Sequence, residues 1–346
     1  MRSDRGGILI VTFWTLLVLS VLASGIAFRL SMDMRLSRYF LEGLRAQEIA
    51  MAGVYRAMEM LSNDEDDYDS LYECGIRMKA SRKPQDFFNK ISLGEGNFTL
   101  EYKQDGHVFS GFSDEDRKIN LNTAGENVLI SLLTVIGEVK DPFAARDMAV
   151  FILDWRDADH VNRSQKSAED DYYRSLPQGY DCADRPFRTT EELLLVKDMT
   201  QEIYDKISEY ITVYGEESVF KINLNTASIP VLHVIGVSVG MQDENAARLA
   251  QRIAEWRSGS DNKPGTADDA IFTASDIESL EKHLPDLTAL AQANLIPVFK
   301  SFFKSYSSYY RIESAGSCGA IQKKITVVTA KNRDKGQSKF IYYHQD

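Results

Sequence analysis

Residues 8–28 read ILIVTFWTLLVLSVLASGIAF, 21 positions without a charge, which a helix would stretch over about 31 Å, the depth of a bilayer's hydrocarbon core. Beyond Phe28 the apolar positions thin out but keep a helical spacing. Leu30, Met34, Leu41, Leu44, Met51, Tyr55 and Met58 recur at intervals of three, four and seven, with no proline among them. The pattern predicts one helix from Ile8 to about Leu61, roughly 80 Å long, with an apolar inner half and an amphipathic outer half (29–62) that can pack on a globular head. The acidic run 64–69 ends it and is expected to be a solvated cap. Residues 97–102 and 107–112 then alternate around Gly106 as a β-hairpin does, and 309–314, 324–329 and 339–343 read as three more strands. The two groups of strands flank a helical region, so the predicted class is α+β: one small antiparallel sheet on a long N-terminal helix, with a large all-α insertion in a loop. The boundaries expected are a β head over 63–117 and 299–346 and an insertion over 118–298.

The insertion is internally repeated. Lys118–Ala124 (KINLNTA) recurs as Lys221–Ala227, and the copies stay in step. Val135-Ile-Gly137 matches Val234-Ile-Gly236, Ala144-Ala-Arg146 matches Ala246-Ala-Arg248, and Trp155-Arg156 matches Trp256-Arg257. Phe187 and Phe272 then open a further pair of similar segments, giving repeats of about 118–212 and 221–296. Each copy reads as a helix-hairpin-helix unit, with Asn or Thr of the Asn-Thr-Ala stretch expected to cap the first helix.

After each Trp-Arg comes an acidic loop. The first carries Asp157 and Asp159 and, ten residues on, Glu169, Asp170 and Asp171; the second carries Asp261, Asp268 and Asp269. Carboxylates gathered at the two ends of one loop repel unless a hard cation lies between them, so these eight residues are the candidate calcium ligands. Neither loop has the EF-hand spacing, and solvated loop charge is the competing reading.

Over all 346 residues, 40 Lys and Arg stand against 51 Asp and Glu, a net charge of -11 that makes a phosphate backbone a poor partner. No nucleic-acid partner is expected, although helix-hairpin-helix units elsewhere bind DNA and a membrane-anchored DNA receptor is the natural rival. Cys74, Cys182 and Cys318 lie far apart without zinc spacing, and the five histidines are scattered. No nucleophile-base set and no phosphate-cradling glycine loop is present, so an enzyme is not expected.

The N-terminus decides among three readings. A cleaved secretory signal would want a shorter apolar run, and a plain signal anchor would need nothing more than the run itself. The third turns on Gly6-Gly7, placed directly before the run and after a short basic segment, MRSDRGG (residues 1–7). This resembles a prepilin leader, cut after Gly7 so that Ile8 becomes the mature N-terminus and Thr12 the fifth mature residue. Pilins usually carry Glu there, paired with a neighbour's terminal amine, because a lone carboxylate in an apolar segment is costly.

Gly-Gly before an apolar helix, Thr12 in place of Glu, a small β head and the repeated insertion together resemble the minor pseudopilin K family of bacterial type II secretion. The stretches Ile-Asn-Leu-Asn-Thr-Ala, Asp154-Trp155-x-Asp157 and 168–173 (AEDDYY) are the most family-like. The resemblance implies a single-pass inner-membrane protein with its globular part in the periplasm, cleaved and N-methylated at Ile8 by prepilin peptidase. It implies a tip complex with minor pseudopilins I and J, contact with other pseudopilins, and calcium in the insertion. A minor type IV pilin is the other alternative. The disulfide of some relatives has no counterpart, since neither 117–120 nor 211–217 contains a cysteine.

Overall fold

The computed structural model describes residues 5–74, 83–158, 168, 170–216, 219–285, 287–332 and 337–345. Helix α1 (Arg5–Ser62) leads to the short helix α2 (Gln85–Phe88) and to strands β1 (Ile91–Leu93), β2 (Gly96–Gln104), β3 (His107–Ser110) and β4 (Ser113–Asp114). The first module follows: β5 (Ile119–Asn120), α3 (Glu126–Val135), α4 (Pro142–Arg156), α5 (Asp170–Arg174), α6 (Gln201–Ile207) and β6 (Ile211–Thr212). The second comprises β7 (Ile222–Asn223), α7 (Ile229–Ser238), α8 (Asp243–Arg257), four short helices between Ala274 and Ser301, and β8 (Phe303–Lys304). Strands β9 (Tyr309–Cys318), β10 (Ile321–Asn332) and β11 (Gln337–Gln345) close the chain.

The head sheet runs β1-β2-β9-β10-β11, all antiparallel, with β3 on β2 and β4 on β9. In β9 every second residue (Tyr310, Ile312, Ser314, Gly316, Cys318) is buried, the period-two signature of a sheet covered on one face. The cover is the outer half of α1, through Ala46, Ala50, Val54, Ala57 and Leu61 at spacings of three and four. Small residues let the two surfaces approach closely. A Cβ on Gly316 would lie 2.1 Å from the Ala46 carbonyl oxygen, and one on Gly53 would lie 2.3 Å from Ser314 Oγ.

Each module is closed by its own ends. β5 pairs in parallel with β6, and β7 with β8, so the first and last strands of each copy meet. The helices of both modules share one apolar core, in which α3 packs on α7.

The repeated polar residues do a different job from the one expected of them. The N-caps of α3 and α7 are Gly125 and Ser228, and neither makes a side-chain cap bond. Asn122 instead clamps the Phe187 peptide: its Oδ1 accepts from Phe187 N at 2.7 Å, and its Nδ2 donates to Phe187 O at 3.0 Å and Val213 O at 3.1 Å. Asn225 repeats the clamp, accepting from Phe272 N at 2.8 Å and donating to Phe272 O at 3.0 Å and Ser305 O at 3.3 Å. Asparagine suits the role because its amide presents a donor and an acceptor on one plane. The Arg of each Trp-Arg pair completes the unit. Arg156 donates to the Leu121 and Ala124 carbonyls, and Arg257 to those of Leu224 (2.8 Å) and Ala227 (2.9 Å).

Two stability predictions follow from this packing. Gly316→Ala should destabilise by about 1–3 kcal/mol through overpacking, whereas Gly43→Ala, in helix interior with open space around it, should stabilise by about 0.5–1 kcal/mol. Asn225→Ala should cost more than Asn122→Ala, on the order of 2–3 kcal/mol, because Asn225 is buried and strands the Phe272 peptide. Denaturant midpoints of the four variants check both, and equal midpoints for Asn225→Ala and wild type would remove the clamp as a structural element.

Candidate functional site

The N-terminal helix starts before the apolar run and continues through it without a break. It is the one helix among the described residues long and apolar enough to cross a membrane, and none of its most apolar window is buried. A Cβ on Gly7 would meet nothing within 4 Å among the described residues, so the fold itself makes no demand for glycine at that position. Thr12 Oγ donates to the Leu9 carbonyl at 3.0 Å, and Thr15 Oγ to the Thr12 carbonyl at 2.8 Å. Both hydroxyls are thus satisfied inside their own helix, as an uncompensated carboxylate in lipid could not be.

Of the acidic residues, Asp159 and Glu169 lie outside the described residues. Asp157 is the C-cap of α4, its N–H bonded to Leu153 O. Asp170 and Asp171 form the first turn of α5, where carboxylates complement the helix dipole. Asp170 accepts from Cys182 N at 2.9 Å and pairs with Arg174 at 2.8 Å, while Asp171 is exposed.

The second loop brings its three carboxylates together. Thr266 Oγ lies 3.2 Å from Asp261 Oδ2, 2.7 Å from Asp268 Oδ1, 3.4 Å from Asp269 Oδ1 and 3.3 Å from the Lys263 carbonyl. One hydroxyl proton cannot serve four acceptors, and the donor set is the hard-oxygen kind that suits calcium. The side chains are still turned toward protein donors, and among the described residues no three His, Cys, Asp or Glu side chains form a ready ligand group. Hydroxyls of Ser260 and Thr266 hold Asp268 well below the usual carboxylate range. Burial pushes Asp269 up to about 6, against the pull of the Gly265 and Thr266 amides.

A further polar cluster, buried between the head and the modules, is one that sequence patterning does not flag. The charged segment 113–118 (SDEDRK) leads from the head sheet into the first module and is almost wholly buried. Asp114 Oδ2 accepts from Ser307 Oγ, Thr226 Oγ (2.8 Å) and Asn223 Nδ2 (3.4 Å). Asp116 accepts from Ser308 N at 2.6 Å and pairs with Lys304 at 3.2 Å. Arg117 donates to Gln104, whose own amide donates to the Thr226 carbonyl at 2.7 Å. Burial pushes both Asp114 and Asp116 up, and the surrounding donors and cations oppose it. Burial acts the same way on Glu115, but Lys118 and Arg311 outweigh it and hold Glu115 at about 2.

The acidic run after α1 is only in part the solvated cap expected of it: Glu65 and Asp67 are exposed, but its two ends are buried and Asp69 joins the same cluster. Asp69 is fully buried and accepts from Ser307 N (2.7 Å) and Tyr310 OH (2.9 Å), while Asp64 pairs with buried Lys331 at 2.7 Å. All three cysteines are buried and none forms a disulfide.

These features have counterparts among known proteins. Residues 109–216 match the family model described as type II secretion system protein K. Type II secretion system protein K of Pseudomonas aeruginosa is 24% identical over 238 residues, covering 67% of this chain and 68% of that protein. The Aeromonas hydrophila protein of the same name is 23% identical over 313 residues, covering 85% and 89%. In the crystal structure of the GspK-GspI-GspJ complex from enterotoxigenic Escherichia coli, one chain superposes with a TM-score of 0.64 at 15% identity, over 90% of this chain and 99% of that one. The fold carries the same long helix, small antiparallel sheet and helical addition that the sequence pattern predicts, and in both sequence and fold the chain is similar to protein K of the type II secretion system.

Proposed function

We propose that this subunit sits at the tip of a pseudopilus, with α1 entering the inner membrane and the head and modules in the periplasm. There it starts assembly with minor pseudopilins I and J, and other pseudopilins follow beneath it in the filament that drives folded proteins through the outer membrane. The observation that carries the tip position is Thr12. Its hydroxyl closes on Leu9, so the segment holds no carboxylate to seek an amine from a subunit ahead. The insertion supports the same position, because two modules fixed to the head would stand where a further subunit would stack. The partners are those that the related complex assembles with, here carried over as part of the proposal.

Prepilin peptidase is proposed to cut between Gly7 and Ile8, with methylation of the Ile8 amine. The open space around Gly7 favours that reading, since the glycine is then kept for recognition and not for packing. Calcium is proposed to bind through Asp261, Asp268 and Asp269 in the second loop and through Asp157, Asp159, Glu169, Asp170 and Asp171 in the first. The cation would supply positive charge between carboxylates that otherwise repel.

Two experiments test these proposals. Thr12→Glu should change pseudopilus initiation less than replacing residues 119–304 by a short linker. The deletion should be made with Asp114→Asn and Asp116→Asn, so that no buried charge is stranded. Normal filaments capped by the folded, insert-free chain would overturn the capping role. For calcium, chelation of the full chain should lower Tm by about 5 °C, and Asp268→Asn should shrink that difference. An unchanged Tm in chelator would leave the loops as ordinary solvated charge.

A further inference from the structure

The face of the head sheet turned away from α1 is not open to solvent along its whole length. The first module overhangs it, and between them lies a cleft of about 900 Å³, floored by β2 and β9 and roofed by the segment around α6 and β6. Its size is that of sites that enclose a substantial ligand and far exceeds what one ion or water needs.

The chemistry of its walls departs from that of the chain. Six basic and four acidic side chains line the cleft, against 40 basic and 51 acidic in the whole protein, so a locally cationic surface sits in an acidic molecule. The excess is greatest at the floor. Lys118 and Arg311 converge there on a single carboxylate, Glu115, which is itself fully buried, while Arg117 beside them donates to Gln104. Arg311 takes Glu115 at 2.5 Å, which leaves Lys118 only a long 3.5 Å contact with it. Lys118 is 89% buried by side chain, and burial together with the Arg311 and Arg117 charges lowers its pKa to about 8. An ammonium so placed gains from any anion that enters. At the mouth, Lys323 and Lys324 extend the basic strip, Lys324 half-exposed and paired with Glu313, a contact that an incoming carboxylate would share, and Tyr214 and Tyr342 stand with ring centroids 6.4 Å apart. Tyrosine and arginine are the residues that dominate protein recognition surfaces.

We infer that this cleft is a binding site for an acidic, extended polypeptide segment of a partner protein, with one carboxylate seated on Lys118 and Arg311 and a second on the Lys323–Lys324 rim. A polyphosphate is disfavoured by Glu101, Glu191, Glu209 and Glu313 around the same walls, which a peptide with spaced carboxylates can straddle. The site rests on the cleft's own chemistry and does not depend on where in a filament the subunit stands.

Fluorescence anisotropy on the full chain in a zwitterionic detergent tests it, with labelled peptides of alternating Glu and Ser, Gln and Ser, or Lys and Ser. The Glu peptide should bind about tenfold or more tighter than the other two, with affinity falling as salt rises. Lys324→Glu, which removes the half-exposed rim cation that pairs with Glu313, should weaken the Glu peptide about tenfold in a chain whose fold is verified by circular dichroism, and Lys118→Gln by at least as much. Equal binding of the Gln peptide, absence of binding by the Glu peptide, or affinity unchanged in a folded Lys324→Glu chain would each overturn the assignment.

Discussion

Burying a carboxylate is tolerable only where every lone pair finds a donor, and three carboxylates buried at the meeting point of the head and the two modules set that condition for this fold. Asp69, Asp114 and Asp116 come from the end of the stalk and the entry to the insertion. Their donors come from elsewhere: Asn223 and Thr226 begin the second module, Lys304 ends its last strand, and Ser307 and Ser308 follow. Ser307 is the centre, its amide held by Asp69 and its hydroxyl by Asp114. No subset of these segments can be satisfied alone. Removing one partner of a buried pair costs several kcal/mol, so the insertion cannot swing on its two connections without breaking the cluster.

The same economy runs through the modules. Each must enter and leave the head at neighbouring points, and the parallel pairs β5–β6 and β7–β8 achieve that by joining the first and last residues of the copy. Asn122 and Asn225 tie the middle of the copy to that closure, and Arg156 and Arg257 tie the end of the long helix to its start. These are the residues the repeat preserves between its copies. The acidic loops leave from the same place in both, just past the tied arginine, so a cation bound there would act on a segment already anchored at one end.

The long helix, the strands and the two copies were legible because each rests on a local period or on identity between segments. Helix α1 runs Arg5–Ser62 where spacing predicts Ile8 to about Leu61, and β9, β10 and β11 include the three C-terminal stretches that alternate. The buried cluster was not legible, for a physical reason. A run such as Asp64–Asp69 or Asp114–Asp116 has the same local composition whether water or protein solvates it. What decides is a set of donors roughly two hundred residues away, at Ser305–Ser308 and Lys331. The asparagines were misread for a related reason. An amide near a helix start has capping as its commonest use, and only the returning Phe187 and Phe272 segments reveal the other.

One feature of α1 links its membrane half to its head half. The apolar run ends at Phe28, yet Leu36, Tyr39, Phe40, Leu41 and Leu44 remain exposed, and burial against the sheet begins only at Ala46. About 24 Å of helix therefore projects beyond the hydrocarbon span with apolar and aromatic side chains facing outward. A monomer standing in the membrane would present that surface to water, where contiguous apolar area is uncommon unless a partner covers it. Lipid cannot cover it, because Arg29, Asp33, Arg35 and Arg38 are interleaved with it. Neighbouring stalks in a filament can, since they bring both apolar contact and charges to pair. The stretch between the apolar run and the head thus calls for a covering surface that carries both apolar groups and charge, and the buried cluster above it ties the end of the stalk helix rigidly to the modules.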